Sequence, residues 1–200
     1  MRDSVRKHID VEYLDIDTCA RCKGTNENLS AALQMAQTLL QAMDADVTVR
    51  RILVDSEEKA QAVGLVSSPT IRINGRDIAT ELKESRCEDC SDLCGCSTGT
   101  NCRVWRYKGE DYEVAPVPVL LDAILSAFYS EGNGGELDVS SGSTVPENLK
   151  KFYAAQRKEK EPCCTPEESE NCCAPEAKES CCGSGVEESE PVGVGLCGCR

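Results

Sequence analysis

The chain has 200 residues, room for one ordinary domain with additions, and a formal net charge of −13. That acidity argues against a nucleic-acid partner, because phosphate contact needs a basic face. Cysteine is the outlier at 15 residues, a count that implies a disulfide framework in a secreted chain and metal or redox chemistry in a reducing compartment.

The N-terminus, MRDSVRKHIDVEYLDID, has basic residues with no apolar run behind them, and no stretch has the length of a transmembrane helix. The expected setting is the cytosol, without a membrane partner. HIDVEYLDID is rich in β-formers, and its apolar residues point both ways, which predicts a central strand. His8, at its start, reads as a surface residue. TCARCKG follows, and then TNENLSAALQMAQTLLQAM, which places Leu29, Leu33, Ala36, Leu40 and Met43 on one helical stripe. DVTVRRILVD is a second strand. SEEKAQAVG is a short helix opened by a Ser or Asp cap and closed by Gly64. In LVSSPTIRINGRDIA, Asn74-Gly75 between short β-like runs signals a hairpin. A cysteine-rich insertion over residues 81–102 interrupts the pattern. CRVWRYKGEDYEVA reads as a second small hairpin, and PVPVLLDAILSAFYS as a closing helix. This order predicts an α/β fold, a mixed sheet flanked by helices.

Cys19 and Cys22 fall where the first strand runs into the first helix. A CxxC at that place sets one thiol over unpaired backbone N–H groups and the positive end of the helix dipole, which favours the thiolate. Arg21 and Lys23 add positive charge. Cys19, expected nearer solvent, is the candidate attacking thiol, and Cys22, one turn on, the candidate resolving thiol. The plain alternative is a zinc knuckle, which needs two further ligands.

DTCARCKGT after a strand, with VGLVSSPTIRINGRDI later, resembles the thioredoxin-like superfamily over residues 8–130, and within it a cysteine-rich, thioredoxin/glutaredoxin-like prokaryotic set. The resemblance implies a cis Pro69 lying against the CxxC and a Ser68 that presents backbone to a thiol partner. It also implies a thiol–disulfide oxidoreductase whose partners are protein or small-molecule disulfide clients and a thiol reductant, with no cofactor required. The Trp-Cys-Gly-Pro-Cys context of thioredoxin itself is absent.

The insertion CEDCSDLCGCSTGTNC supplies Cys87, Cys90, Cys94, Cys96 and Cys102. Four thiolates this close along the chain can surround a tetrahedral zinc ion or an iron–sulfur cluster, although the spacing matches no common cluster run. A second dithiol that exchanges with Cys19–Cys22, or a stapled or merely reduced loop, are the competing readings.

Beyond a Gly/Ser-rich linker over residues 131–148 and a short amphipathic helix over 149–160 comes an acidic tail, residues 161–200. There Cys163-Cys164, Cys172-Cys173 and Cys181-Cys182 recur every nine residues among prolines and glutamates. This composition cannot build a core, so the tail is expected to be disordered when free of ligand. Adjacent thiols bridge each other poorly, but two together suit a linear soft ion, and a third completes a trigonal site for arsenite. The competing view is a low-complexity extension whose thiols do nothing specific. Two functions therefore stand side by side: a thioredoxin-like oxidoreductase, with heavy-metal or metalloid stress as one setting for it, and a thiol-rich protein that binds soft metal or arsenite.

Overall fold

The computed structural model describes residues 6–16, 19–93, 100–130 and 144–160. Contacts divide the chain into two compact units, residues 1–156 and 157–200. All the contacts described below lie within the first.

Strand β1 (Lys7–Asp15) sends Ile9, Val11 and Tyr13 into one core cluster. Leu14 and, just past the strand, Ile16 enter another. A strand apolar on both faces has to lie inside a sheet, and β1 pairs on both sides. It runs parallel to β2 (Ala45–Leu53) and antiparallel to β3 (Thr70–Ile73). Strand β4 (Arg76–Asp77) completes a four-stranded mixed sheet of order β2-β1-β3-β4. The β3–β4 turn is Asn74-Gly75, with φ of 51° and 79°. Two consecutive left-handed residues are what a tight hairpin turn requires, and Asn and Gly are the residues that tolerate it.

Helix α1 (Ala20–Ala42) buries Cys22, Thr25, Leu29, Ala32, Ala36 and Leu40 at three- and four-residue steps. Leu33 and Met43 of the predicted stripe are partly buried. Helix α2 (Glu57–Ala62) begins at Ser56, whose hydroxyl accepts from the Lys59 N–H at 3.2 Å, and ends before Gly64 at φ 60°.

The insertion is ordered into β5 (Glu84–Cys87), helix α3 (Glu88–Leu93) and β6 (Thr100–Arg103), with β5 and β6 antiparallel. Strands β7 (Trp105–Tyr107) and β8 (Glu110–Tyr112) form the second small hairpin. Helix α4 (Val117–Tyr129) and helix α5 (Glu147–Lys160) follow. The expected fold class, a mixed sheet with helices, is the one observed.

Two clusters divide the core. One joins β1, β3, α1 and α4 with Trp105. The other joins Leu14, Ile16, Val54, Ala60 and Leu65 to Cys19, Cys22, Cys87, Cys90 and Cys102, and to Leu149, Phe152 and Tyr153 of α5. The short amphipathic helix read at 149–160 thus shares a core with the cysteines. Among the described residues, no helix is long and apolar enough to cross a membrane.

Candidate functional site

The site begins at the C-terminal end of β1. Cys19 is the N-cap of α1, and its Sγ accepts from the Cys22 N–H at 3.5 Å. Cys22 lies in the first turn, with its Sγ 3.3 Å from that of Cys19 and 3.7 Å from Ser68 Oγ. Cys19, expected nearer solvent than Cys22, is buried along with it. Cys19 is 3% exposed and Cys22 1%, because the insertion folds over them.

Long-range contacts hold that cover in place. The Ala20 N–H, at the open end of α1, donates to the Asp89 carboxylate at 2.9 Å, joining α1 to α3. Arg21 is almost fully buried and donates to Ser85 Oγ and to the Arg86 carbonyl, both at 2.9 Å, while pairing with Glu113. Arg21 was read as a source of positive charge beside the thiols; in the fold it fastens β5. Ser91 Oγ donates to the Cys87 carbonyl at 2.6 Å and accepts from the Thr100 N–H at 2.8 Å, which ties α3 to β6.

The Ser68–Pro69 peptide is cis, as the resemblance implied. Ser68 does not offer free backbone, however. Its carbonyl accepts from the Arg103 N–H at 2.7 Å, and its hydroxyl accepts from the Ile16 N–H at 3.1 Å. The chain's own strand β6 occupies the position expected for a thiol partner. Arg103 is itself buried, donating to Thr70 Oγ1 at 3.0 Å and pairing with Asp77 at 2.7 Å.

The consequence is a cluster that local spacing did not foretell. The Sγ atoms of Cys19, Cys87, Cys90 and Cys102 all lie within 4.8 Å of one another, and all four residues are buried. Three come from the insertion and the fourth from the CxxC. Cys90 and Cys102 approach to 3.3 Å. The five described cysteines are unbridged. Of the ligand set grouped by sequence, Cys94 and Cys96 lie outside the described residues, as do Cys163, Cys164, Cys172, Cys173, Cys181 and Cys182. His8 is exposed, 3.4 Å from Asp10, and is not in the cluster.

Electrostatics single out Cys19. Hydrogen bonds from Cys102, Cys22 and Cys90 hold its thiol well below the ordinary range, against the opposing effect of burial. The donors move the other way. Cys22 is raised by its bond to Cys19 and by burial, and Cys102 by its bonds to Cys19 and Cys90 and by burial. At Cys90 the bond from Cys102 lowers the pKa, but donation to Cys19 and burial outweigh it. Cys19 is therefore the sulfur that the surrounding hydrogen bonds favour as the thiolate.

The sequence predicts the helix at 149–160 but not its place beside the cysteines. Asn148 accepts from the Asn101 N–H at 3.0 Å and donates to the Asn101 carbonyl at 2.8 Å, grasping β6 beside Cys102. The Tyr153 hydroxyl donates to the Val54 carbonyl at 2.8 Å. Between these anchors, Leu149 and Phe152 close the apolar wall of the cluster.

Four close thiols are compatible with metal binding and with redox chemistry. Comparison with curated proteins and with solved structures returned no match. The family model described as "Domain of unknown function (DUF2703)" matches residues 8–124, which contain all five cysteines of this site, and the chain belongs to that family.

Proposed function

We propose that the protein binds a metal ion in a closed four-thiolate centre made by Cys19, Cys87, Cys90 and Cys102. The observation that carries this reading is the mutual approach of the four buried sulfurs within 4.8 Å. Tetrahedral zinc with Zn–S bonds of about 2.3 Å sets its sulfurs roughly 3.8 Å apart. The cluster therefore needs only a slight contraction to fit, and Cys90 and Cys102, at 3.3 Å, already approach more closely than that. A tetrahedral set of four sulfurs selects zinc, or iron of the cluster-forming kind, over hard oxygen-seeking ions. Because the residues supply four ligands, no position is left open for a substrate, so the centre suits holding an ion rather than catalysis on it. Reduced thiols are needed, which a cytosolic setting provides. The paired cysteines of the tail extend the same chemistry to softer ions or arsenite.

The test is native mass spectrometry of the full chain purified without oxygen and loaded with zinc. The wild type is expected to hold one ion that the Cys87→Ser and Cys102→Ser variants lose. Equal zinc content in the wild type and in a variant lacking all four cysteines would overturn the reading.

A second reading, a thioredoxin-like thiol–disulfide oxidoreductase, is supported by the strand order, the CxxC at the start of α1 and the cis Pro69. In it Cys19 attacks a disulfide client, Cys22 resolves, and a thiol reductant restores the pair. The bond from Arg103 to the Ser68 carbonyl weighs against an external protein client. Turnover of a small disulfide that is lost in Cys19→Ser would favour this reading, and turnover that survives would exclude it.

A further inference from the structure

Cys19 belongs to two arrangements at once. Its sulfur is one of the four within 4.8 Å of one another, and it is also 3.3 Å from Cys22 Sγ, which is not among the four. One sulfur cannot be a thiolate ligand and half of a disulfide together. We infer that Cys22 is a redox trigger: oxidation joins it to Cys19, withdraws one ligand from the centre and releases the ion. This inference rests on the four-thiolate reading above.

Two described pairs approach to 3.3 Å, Cys19–Cys22 and Cys90–Cys102, and only the first includes a thiol outside the ligand set. With an ion in place, Cys87, Cys90 and Cys102 are committed to it. Among the described cysteines, Cys22 remains the uncommitted thiol, beside Ser68 Oγ at 3.7 Å. Cys19 is the extended N-cap and Cys22 lies in the first turn, and their sulfurs have only to close from 3.3 Å to about 2.05 Å. A cleft of about 320 Å³, whose lining includes Arg21, Arg86, Glu88 and Glu113, reaches the centre at Cys87. Cys19 and Cys22 are buried, which suits a small oxidant better than a folded protein.

The oxidant class is a hydroperoxide, for which hydrogen peroxide serves. The uncommitted Cys22 sulfur attacks one peroxide oxygen, the O–O bond breaks, and the departing hydroxide takes the Cys22 proton as water, with Cys22 as a sulfenic acid. The Cys19 thiolate then attacks the Cys22 sulfur, the S–O bond breaks, and hydroxide leaves. That hydroxide gains a proton from solvent. Two electrons pass from the two sulfurs to one peroxide, giving one disulfide and two waters. Three thiolates remain around the ion. Loss of a direct ligand weakens retention by more than the roughly 10–100-fold that loss of an outer partner costs.

The experiment uses the full chain loaded with cadmium-113 and followed by its NMR signal from the centre, before and after one equivalent of hydrogen peroxide. Disulfides are mapped after trypsin, which cuts after Arg21 and leaves any Cys19–Cys22 bridge as a linked peptide pair. The wild type is expected to lose the centre's signal, to show that pair, and to regain the signal on reduction. Cys22→Ser and Cys22→Ala are expected to give the same initial signal and to keep it under peroxide. Loss of the signal in both variants at the wild-type rate overturns the trigger, as does loss in the wild type without the linked pair. Either result leaves the four-thiolate reading standing. If no centre signal appears in the untreated wild type, the four-thiolate reading itself fails.

Discussion

Cys19 holds its position because three separate features converge on one atom. The end of β1 delivers it, the first turn of α1 supplies the Cys22 N–H at 3.5 Å, and neighbouring thiols donate to its sulfur. The cost falls on those neighbours, since Cys90 and Cys102 are held as thiols. Both must lose their protons to bind an ion, so uptake releases protons. Raising the pH lowers the competing proton activity, and the apparent affinity is expected to rise with pH near neutrality and to fall on acidification. Zinc titration by calorimetry in buffers of different ionisation enthalpy checks this. The observed heat should change with the buffer, and a heat independent of buffer would contradict it. At this scale the sequence was partly legible. Cys19 and Cys22 could be located, because a strand running into an amphipathic helix is a local pattern. The partners of Cys19 could not. Spacing grouped Cys87 with Cys90, Cys94 and Cys96, whereas membership of the described cluster depends on contacts between distant segments, such as Ala20 with Asp89 and Ser68 with Arg103.

Elements divide along the same line. β1, α1, β2 and the Asn74-Gly75 hairpin were legible because periodicity and turn chemistry are carried by neighbouring residues. The β5–β6 pairing was not, since no turn signal marks it and its strands have only four residues each. What holds β5 is Arg21, reaching across from α1 to Ser85 and Arg86. Arg21→Ala removes hydrogen bonds from a buried guanidinium to these partly buried or exposed acceptors, at about 1.5–3 kcal/mol for bonds to a charged group. Faster hydrogen exchange at the β5–β6 amides, with the β1–β2 amides unchanged, is the expected result; uniform exchange throughout would show that Arg21 does not act on this element. Helix α5 was legible as amphipathic but not as part of the centre's wall, because its target lies far away in sequence. Phe152 is fully buried against the cysteine cluster. Phe152→Ala removes an aromatic ring from that core, a loss of about 3–5 kcal/mol. Denaturant unfolding should show the midpoint fall, and zinc should leave the variant faster than the wild type. An unchanged midpoint would mean that α5 contributes nothing to the core.

At the scale of the whole molecule, thiols occur in two different settings. Those of the centre are gathered by a fold, within the segment that the family model matches. The tail pairs, Cys163-Cys164, Cys172-Cys173 and Cys181-Cys182, fall outside the matched residues 8–124. A closed four-sulfur site accepts one ion and imposes its geometry. Adjacent thiols on a chain rich in Pro and Glu impose little, and suit ions that prefer two or three sulfurs. The net charge of −13 favours the approach of cations over anions without selecting among them. The proposed binding predicts two populations of bound ion, distinguishable by number and by strength. A full-length chain with the six paired tail cysteines changed to Ser should still take up one zinc ion in the centre. In excess mercuric ion, the wild type should carry more ions per chain than this variant. Native mass spectrometry counts both directly. Equal mercuric loading would mean that the paired thiols hold nothing. Loss of the single zinc ion would mean that the tail, rather than the buried cluster, had been its site.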